Sequence, residues 1–105
     1  MNRYSIPTLT IAGSDSSGGA GIQADLKAFS ALGTFGMSVI TALTAQNTQG
    51  VFMVEEVSKE IIRKQIEVIF EDRVPKAVKV GMVSSSEIIL EIVNTLSQYE
   101  VENLR

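Results

Sequence analysis

A glycine-rich segment between an apolar run and an amphipathic stretch constrains the fold of this chain more than any other feature. Residues 13–21 read GSDSSGGAG, after the apolar run 9–12 and before a helical pattern that begins at Ile22. The order predicts a strand, a tight loop and a helix. Because glycine allows close approach to the backbone and a helix N-terminus presents unpaired N–H groups, the loop is suited to a polar or anionic small molecule.

The predicted helix carries an aspartate on its apolar face. At about 100° per residue, Asp25 lies within a stripe formed by Ile22, Leu26, Phe29 and Leu32. One interpretation is an acid in the first helical turn, stabilised by the helix dipole. The other is a carboxylate that faces a pocket between loop and sheet and accepts a hydrogen bond from a ligand. The second explains the choice of face, because an ionised carboxylate there is costly unless something pairs with it.

Composition limits the chemistry that these residues can perform. The 105 residues suffice for one small domain, and the hydrophobic fraction of 45% is typical of a globular core. The absence of cysteine and histidine excludes thiolate and imidazole metal sites and Ser-His-Asp chemistry. A net charge of -3 argues against nucleic-acid binding. No apolar run approaches the roughly 18 residues of a membrane span, and no signal-peptide pattern is present, so we expect no membrane partner and a cytoplasmic location.

The remaining pattern predicts strands that alternate with helices. Strands are expected over 8–12, 39–45, 51–57 and 77–80, helices over 22–32, 58–71 and 85–98, and the start of another strand over 101–105. Gly33 is placed to end the first helix and Ser58 to cap the second, while residues 84–87, SSSE, fit a capping box. The run 39–45 is almost continuously apolar, which indicates a strand buried on both faces.

This alternation predicts an α/β fold with a mostly parallel sheet and helices on both faces. Ligands of such sheets bind outside the carboxyl ends of the strands. Three such ends, at 13–15, 44–47 and 81–83, are expected at the same edge, beside Asp25. Gln46 offers a donor and an acceptor there, and Met82 a soft apolar surface. This combination suits a flat, neutral molecule with polar edges, such as a heterocycle.

Three other motif interpretations are disfavoured. Residues 19–24, GAGIQA, fit a dinucleotide-binding fingerprint, but no acid occurs between Asp25 and Glu55, where the ribose ligand is expected. A phosphate-binding P-loop requires Gly-Lys-Ser/Thr, whereas Gly21 is followed by Ile22 and Gln23. The loop serines have no histidine or nearby lysine to activate them, so they are interpreted as turn formers.

Three blocks of the sequence closely resemble a known enzyme family. They are residues 10–27, TIAGSDSSGGAGIQADLK, residues 38–48, SVITALTAQNT, and residues 79–82, KVGM. They are similar to the hydroxymethylpyrimidine/phosphomethylpyrimidine kinases of thiamin biosynthesis, which belong to the ribokinase-like superfamily. The resemblance implies phosphorylation of 4-amino-5-hydroxymethyl-2-methylpyrimidine (the pyrimidine alcohol) and then of its monophosphate, with ATP and Mg²⁺ as cofactors.

The same resemblance implies a substrate pocket. Carried over by position, its residues are Gly13, Ala20, Asp25, Thr44, Gln46 and Met82. Asp25 would hold the hydroxymethyl group or the donors of the ring edge, Gln46 the ring nitrogen and amino edge, and Met82 the ring face. Thr44 departs from the valine expected there, a harmless change if the contact comes from the backbone.

The family's members are much longer than this chain, and their C-terminal half holds the anion hole, the catalytic base and most of the ATP site. Residues 1–105 are therefore interpreted as the N-terminal part of a single ribokinase-like domain, with no catalytic or metal-binding residues of their own. We expect no kinase activity from this segment alone and a homodimer when full-length. An open sheet edge and uncovered apolar helix faces predict aggregation or partner-dependent folding of the segment. The alternatives are a pyridoxal or pyridoxine kinase of the same superfamily and a non-catalytic small α/β binding module.

Overall fold

The computed structural model describes residues 6–83, 85–101 and 103–105 of the chain. Its helices and strands, in chain order, are β1 (Pro7–Ala12), α1 (Gly21–Ala31), β2 (Phe35–Ile40), β3 (Ala42–Asn47), β4 (Gly50–Glu56), α2 (Lys59–Asp72), β5 (Ala77–Val80) and α3 (Ser86–Leu96). No helix within the described ranges is long and apolar enough to cross a membrane.

β1 is the central strand of a three-stranded parallel sheet with the order β2-β1-β5. Thr10 of β1 is in register with Ser38 of β2 and Lys79 of β5. Because side chains alternate along a strand, Leu9 and Ile11 lie on one face of the sheet and Thr10 on the other. α2 and α3 pack on the first face, while α1 covers the second. The predicted α/β class, with a mostly parallel sheet between helices, is confirmed.

The core lies between the sheet and the pair α2 and α3. Its buried residues are Leu9, Ile11, Val39, Ile62, Ile66, Phe70, Val78, Ile88, Ile92 and Leu96. Each such side chain contributes about 1.5–3 kcal/mol relative to exposure. The Phe70 ring stacks on Tyr99 with centroids 4.4 Å apart, which extends the core towards the C-terminus. These contacts cover one side of the sheet.

α1 packs closely on the opposite face because β2 carries a glycine there. A Cβ added at Gly36 would lie 3.1 Å from the Leu26 side chain and 3.2 Å from Phe29. Ile22 is buried, whereas Leu32 is exposed because the helix ends before it. Gly33 follows with a φ of 76°, as expected of a residue that terminates a helix.

The predicted single strand over 39–45 is wrong. The chain turns at Thr41 between β2 and β3, and β3 pairs antiparallel with β4 in a separate two-stranded sheet. The Thr41 N–H donates to the Ala12 carbonyl at 3.0 Å, and its own carbonyl accepts from the Val57 N–H at 3.2 Å. Leu43 is therefore half exposed on the outer face of the small sheet, so the apolar run is not buried on both faces. The predicted strand over 51–57 corresponds to β4.

The other boundaries lie close to the predicted ones. Ser58 caps α2, since its Oγ accepts from the Ile61 N–H at 3.2 Å. β5 coincides with the predicted strand, and the N-cap residue of α3 is Ser85, whose side chain makes no capping hydrogen bond. Ser84, the proposed start of a capping box, lies outside the described residues. Residue 102 of the strand predicted over 101–105 lies outside the described residues, and the described part forms a parallel bridge between Leu104 and Val78.

Candidate functional site

A cavity of 390 Å³ lies at the carboxyl edge of the main sheet, between the glycine-rich loop, α1 and the small β3–β4 sheet. All six residues of the predicted pocket line it: Gly13, Ala20, Asp25, Thr44, Gln46 and Met82. Two of the three predicted strand ends, after β1 and after β5, meet there. Residues 44–47 also reach the cavity, through Thr44 and Gln46, but they belong to antiparallel β3 and are not the end of a parallel strand as predicted. The role of the six residues in binding stays a prediction.

Asp15 organises the glycine-rich loop. Its Oδ1 accepts from the N–H and the hydroxyl of Ser17, at 2.8 and 2.6 Å, and its Oδ2 accepts from the N–H groups of Gly19 and Ala20, at 3.0 and 2.8 Å. The Ser17 hydroxyl, supported by these backbone donors, holds the pKa of Asp15 below its ordinary value although burial opposes this. No role of Asp15 was predicted from the sequence. The available signal was a carboxylate two to five residues before glycine-rich backbone donors.

These contacts change the interpretation of the loop as a site for anions. The sequence predicts unpaired N–H groups where the loop leads into α1. In the structure, the N–H groups of Ser17, Gly19 and Ala20 in the loop donate to Asp15. The Ile22 N–H at the start of α1 donates to the Gly13 carbonyl at 3.0 Å. The negative charge of Asp15 therefore fills the place that a bound anion would take, which favours a neutral ligand at this edge.

Two serines tie the loop to β3. The Ser14 hydroxyl accepts from the Thr44 N–H at 3.1 Å, and the Thr44 hydroxyl donates to the Ser14 carbonyl at 2.8 Å. The Ser16 hydroxyl accepts from the Gln46 N–H at 2.7 Å and donates to the Gln46 carbonyl at 2.5 Å. The loop and the small sheet thus form one wall of the cavity. The Thr44 hydroxyl is engaged within this wall.

Asp25 lies on the sheet side of α1 and lines the cavity. Its Oδ2 accepts from the Thr10 hydroxyl at 2.6 Å, its Oδ1 is paired with the Lys79 ammonium, and its side chain is 12% exposed. No acidic residue lies in the first turn of α1, so the helix-dipole interpretation of Asp25 is wrong. The carboxylate is instead compensated by a lysine of β5.

Thr10 and Lys79 are functional candidates that the sequence analysis missed. Lys79 lies between Val78 and Val80 in a strand whose other face enters the core. A charged residue at such a position was a signal for a partner across the sheet. Thr10 gave no signal, because a threonine in a strand is ordinary.

The remaining two side chains differ in how firmly they are held. The Gln46 Oε1 accepts from the Thr44 hydroxyl at 3.4 Å, a weak contact that leaves the amide able to reorient. Met82 lies at the rim of the cavity with 95% of its surface exposed. Both residues are therefore free to adjust to a ligand, in contrast to Asp15 and Asp25.

The part of the chain that the structure describes contains no group of three His, Cys, Asp or Glu residues placed to hold a metal ion. Three carboxylates of the described residues line the cavity: Glu56 of β4, Asp15, which is held by donors of its own loop, and Asp25, which is held by Thr10 and Lys79. These residues therefore do not form a Mg²⁺ site by themselves.

The fold agrees with that of solved small-molecule kinases. The chain superposes on a crystal structure of phosphomethylpyrimidine kinase from Clostridium difficile 630 with a TM-score of 0.92 and 74% identity, over 94% of this chain and 43% of that one. It also matches the pyridoxal kinase of Staphylococcus aureus, solved in complex with AMP-PCP and pyridoxal, with a TM-score of 0.83 and 35% identity over 94% of this chain and 37% of that one. The class is thus that of ribokinase-like kinases.

The sequence assigns the family within this class. The model of the family described as phosphomethylpyrimidine kinase matches residues 15–104, so the chain belongs to this family. The hydroxymethylpyrimidine/phosphomethylpyrimidine kinase of Rhizobium meliloti (strain 1021) is 62% identical over 91 residues, which are 87% of this chain and 34% of that protein. The chain therefore spans about a third of the length of the curated relatives that it matches.

Proposed function

We propose that this chain is the substrate-binding part of a hydroxymethylpyrimidine/phosphomethylpyrimidine kinase of thiamin biosynthesis. Such an enzyme phosphorylates the pyrimidine alcohol and then its monophosphate with ATP. The observation that carries the proposal is the cavity at the carboxyl edge of the sheet, which all six predicted pocket residues line. The family assignment supports the same substrate class. The cysteine-free composition favours a cytoplasmic location.

The polar groups of the cavity suit an aminopyrimidine. Asp25 has lone pairs beyond those that Thr10 and Lys79 use, because a carboxylate has about four acceptor positions. It can accept from the hydroxymethyl group or the amino group of the ring. The Gln46 amide can pair with a ring nitrogen and its neighbouring amino group, and Met82 can cover one ring face. Gly13 and Ala20, which lack bulky side chains, let the ring approach the loop.

ATP and Mg²⁺ are proposed as cofactors of the whole enzyme. ATP supplies the phosphoryl group, and the metal neutralises charge on the phosphates. The described residues contain no group of three His, Cys, Asp or Glu side chains that could hold a metal ion. The loop N–H groups of Gly19 and Ala20, which could otherwise bind phosphate, donate to Asp15. This chain therefore contributes binding and orientation of the alcohol, and we expect it to have no kinase activity alone.

The test is to measure binding and turnover on the same preparation of the 105-residue chain. We expect calorimetric titration to show binding of the pyrimidine alcohol, with no phosphorylation in the presence of ATP and Mg²⁺. Asp25→Asn should weaken binding at least tenfold, whereas Asp72→Asn, at the end of α2 and away from the cavity, should leave it unchanged. Equal affinity in wild type and D25N would contradict the proposal, as would turnover by the chain alone.

A pyridoxal or pyridoxine kinase is the second candidate, favoured by the structural match to the Staphylococcus aureus pyridoxal kinase. Titration with pyridoxine under identical conditions separates the two. The proposed function predicts tighter binding of the pyrimidine alcohol. Tighter binding of pyridoxine would favour the second candidate, and binding of neither alcohol would favour a module with another ligand.

A homodimer is the proposed assembly of the full-length protein, formed through the outer face of the β3–β4 sheet. Leu43 and Met53 lie on this face, away from the cavity, and are 49% and 70% exposed. The neighbouring Phe52 is also 70% exposed. Contiguous exposed apolar side chains of this kind mark contact surfaces. We expect Met53→Lys to convert a dimer to a monomer in size-exclusion chromatography with light scattering. A dimer that persists in M53K would place the interface elsewhere.

A further inference from the structure

Three groups from three elements converge on the cavity. Asp25 projects from α1, Thr10 from β1 and Lys79 from β5. Thr10 and Lys79 are register partners on the sheet face that α1 covers, so the geometry of the parallel pair places both donors beneath the carboxylate. Each donor takes a different oxygen, Thr10 the Oδ2 and Lys79 the Oδ1.

The ion pair is asymmetric in its exposure. The Asp25 side chain is 12% exposed and the Lys79 side chain 50%. A largely buried carboxylate depends on its counter-ion, because an uncompensated charge in such a place is costly. The lysine can keep its aliphatic stem against the sheet while its ammonium group reaches the carboxylate beside the cavity. Among the described residues that line the cavity, Lys79 is the cationic one.

The pair has two consequences for a ligand. A carboxylate held at both oxygens presents its remaining lone pairs in one fixed direction, so a ligand donor meets a pre-oriented acceptor. The pair is also electrically neutral as a unit, so Asp25 attracts a neutral donor without strongly preferring a cation. Without the lysine the same carboxylate would rotate and would attract positive charge.

We infer that Lys79 is a positioning and specificity-determining residue of the pyrimidine site, which acts through Asp25 with Thr10 as the second support. This inference rests on the proposed function for the identity of the ligand. The specificity concerns charge: Lys79 makes the site select the neutral pyrimidine alcohol over its 5-aminomethyl analogue, an ammonium ion at neutral pH that is otherwise of the same shape.

The experiment compares the affinities of these two ligands on the same sample, so that any unfolded fraction cancels in their ratio. We expect wild type to prefer the alcohol, Lys79→Met to shift the affinity ratio at least tenfold towards the amine, and Lys79→Arg to retain the wild-type ratio within threefold. Lys64→Met, an exposed lysine of α2, is the matched control and should change nothing. A ratio that is unchanged in K79M would overturn the inference.

A second measurement tests the positioning role without a ligand. Three-bond scalar couplings of the Asp25 side chain should report one rotamer in wild type and in K79R, and averaged rotamers in K79M. The same single rotamer in all three proteins would overturn the inference. If wild type binds neither ligand, the proposed function fails, and the rotamer comparison still decides whether Lys79 positions Asp25.

Discussion

Two aspartates of the same cavity are held for different purposes. Asp15 accepts four hydrogen bonds from its own loop, donated by Ser17, Gly19 and Ala20, so its carboxylate stabilises the conformation of that loop. Asp25 accepts one hydrogen bond from Thr10 and forms one ion pair with Lys79, which leaves lone pairs of its carboxylate available towards the cavity. The distinction between a structural and a ligand-facing carboxylate thus depends on the partners and not on the residue type.

The lowered pKa of Asp15 predicts a loss of stability in acid. Because the carboxyl is more acidic in the folded chain than in the unfolded chain, its stabilisation is complete above the ordinary aspartate value of about 3.9 and is lost as the pH falls through the folded value. Asp15→Asn should lower the melting temperature at pH 7, since an amide NH₂ would face backbone donors. The difference from wild type should shrink at pH 3. An equal difference at both pH values would contradict this account.

Gly21 is predicted to tolerate no side chain. Its φ is 60°, and an added Cβ would lie 2.4 Å from the Gly13 carbonyl oxygen. Gly21→Ala should therefore reduce the free energy of unfolding by about 2 kcal/mol or more in urea titrations. Gly19→Ala is the matched control in the same loop, because a Cβ there would meet Asp15 at an ordinary 3.7 Å. Comparable losses in both variants would refute the steric explanation.

At the scale of the element, two serines precede helices and only one acts as a cap through its side chain. The Ser58 Oγ accepts from the Ile61 N–H at the start of α2, whereas the Ser85 side chain makes no such bond at α3. Ser58→Ala should destabilise the chain by about 1 kcal/mol, and Ser85→Ala by much less. Urea unfolding of both variants measures the difference. A larger loss in S85A would show that the cap assignment is reversed.

Local patterns predicted most elements, because their signals lie within a few residues. The periodicity of α1, the apolar run of β1 and the strand 77–80 required no tertiary information. The run 39–45 failed because apolar character does not reveal which surface a side chain meets. Leu43 is as apolar as Val39, yet Val39 is fully buried in the core while Leu43 lies on the outer face of a hairpin. The turn at Thr41 depends on contacts with Ala12 and Val57, both distant in sequence.

Part of the candidate site could be predicted because its signals are local in the sequence, and the rest could not because it depends on distant residues. Asp25 could be singled out from its place in an apolar stripe, and Gln46 and Met82 from the expected edge of the sheet. The partner of Asp25 could not, because Lys79 is 54 residues away and meets it only through the register of β1 and β5. The anchoring of the loop by Ser14 and Ser16 likewise depends on residues of β3 that are 30 positions distant.

At the scale of the whole molecule, the outer side of α3 carries an uncovered apolar region. A groove of 600 Å³ runs along it, lined by Ile89, Val93 and Leu104 among others, and Val93 is 55% exposed. We expect the chain to self-associate with increasing concentration through this surface. Val93→Lys should reduce that association in sedimentation experiments, whereas Val68→Lys, on exposed α2, should not. Equal effects of both substitutions would show that the groove is not responsible.

The most direct test of the account is to locate the bound pyrimidine alcohol on the ¹⁵N-labelled chain by NMR titration. The account predicts that the backbone amides that shift are those around the cavity, at Gly13, Ala20, Thr44, Gln46 and Met82, and that Asp25→Asn removes these shifts. Shifts centred on the groove along α3, or shifts that persist in D25N, would contradict it.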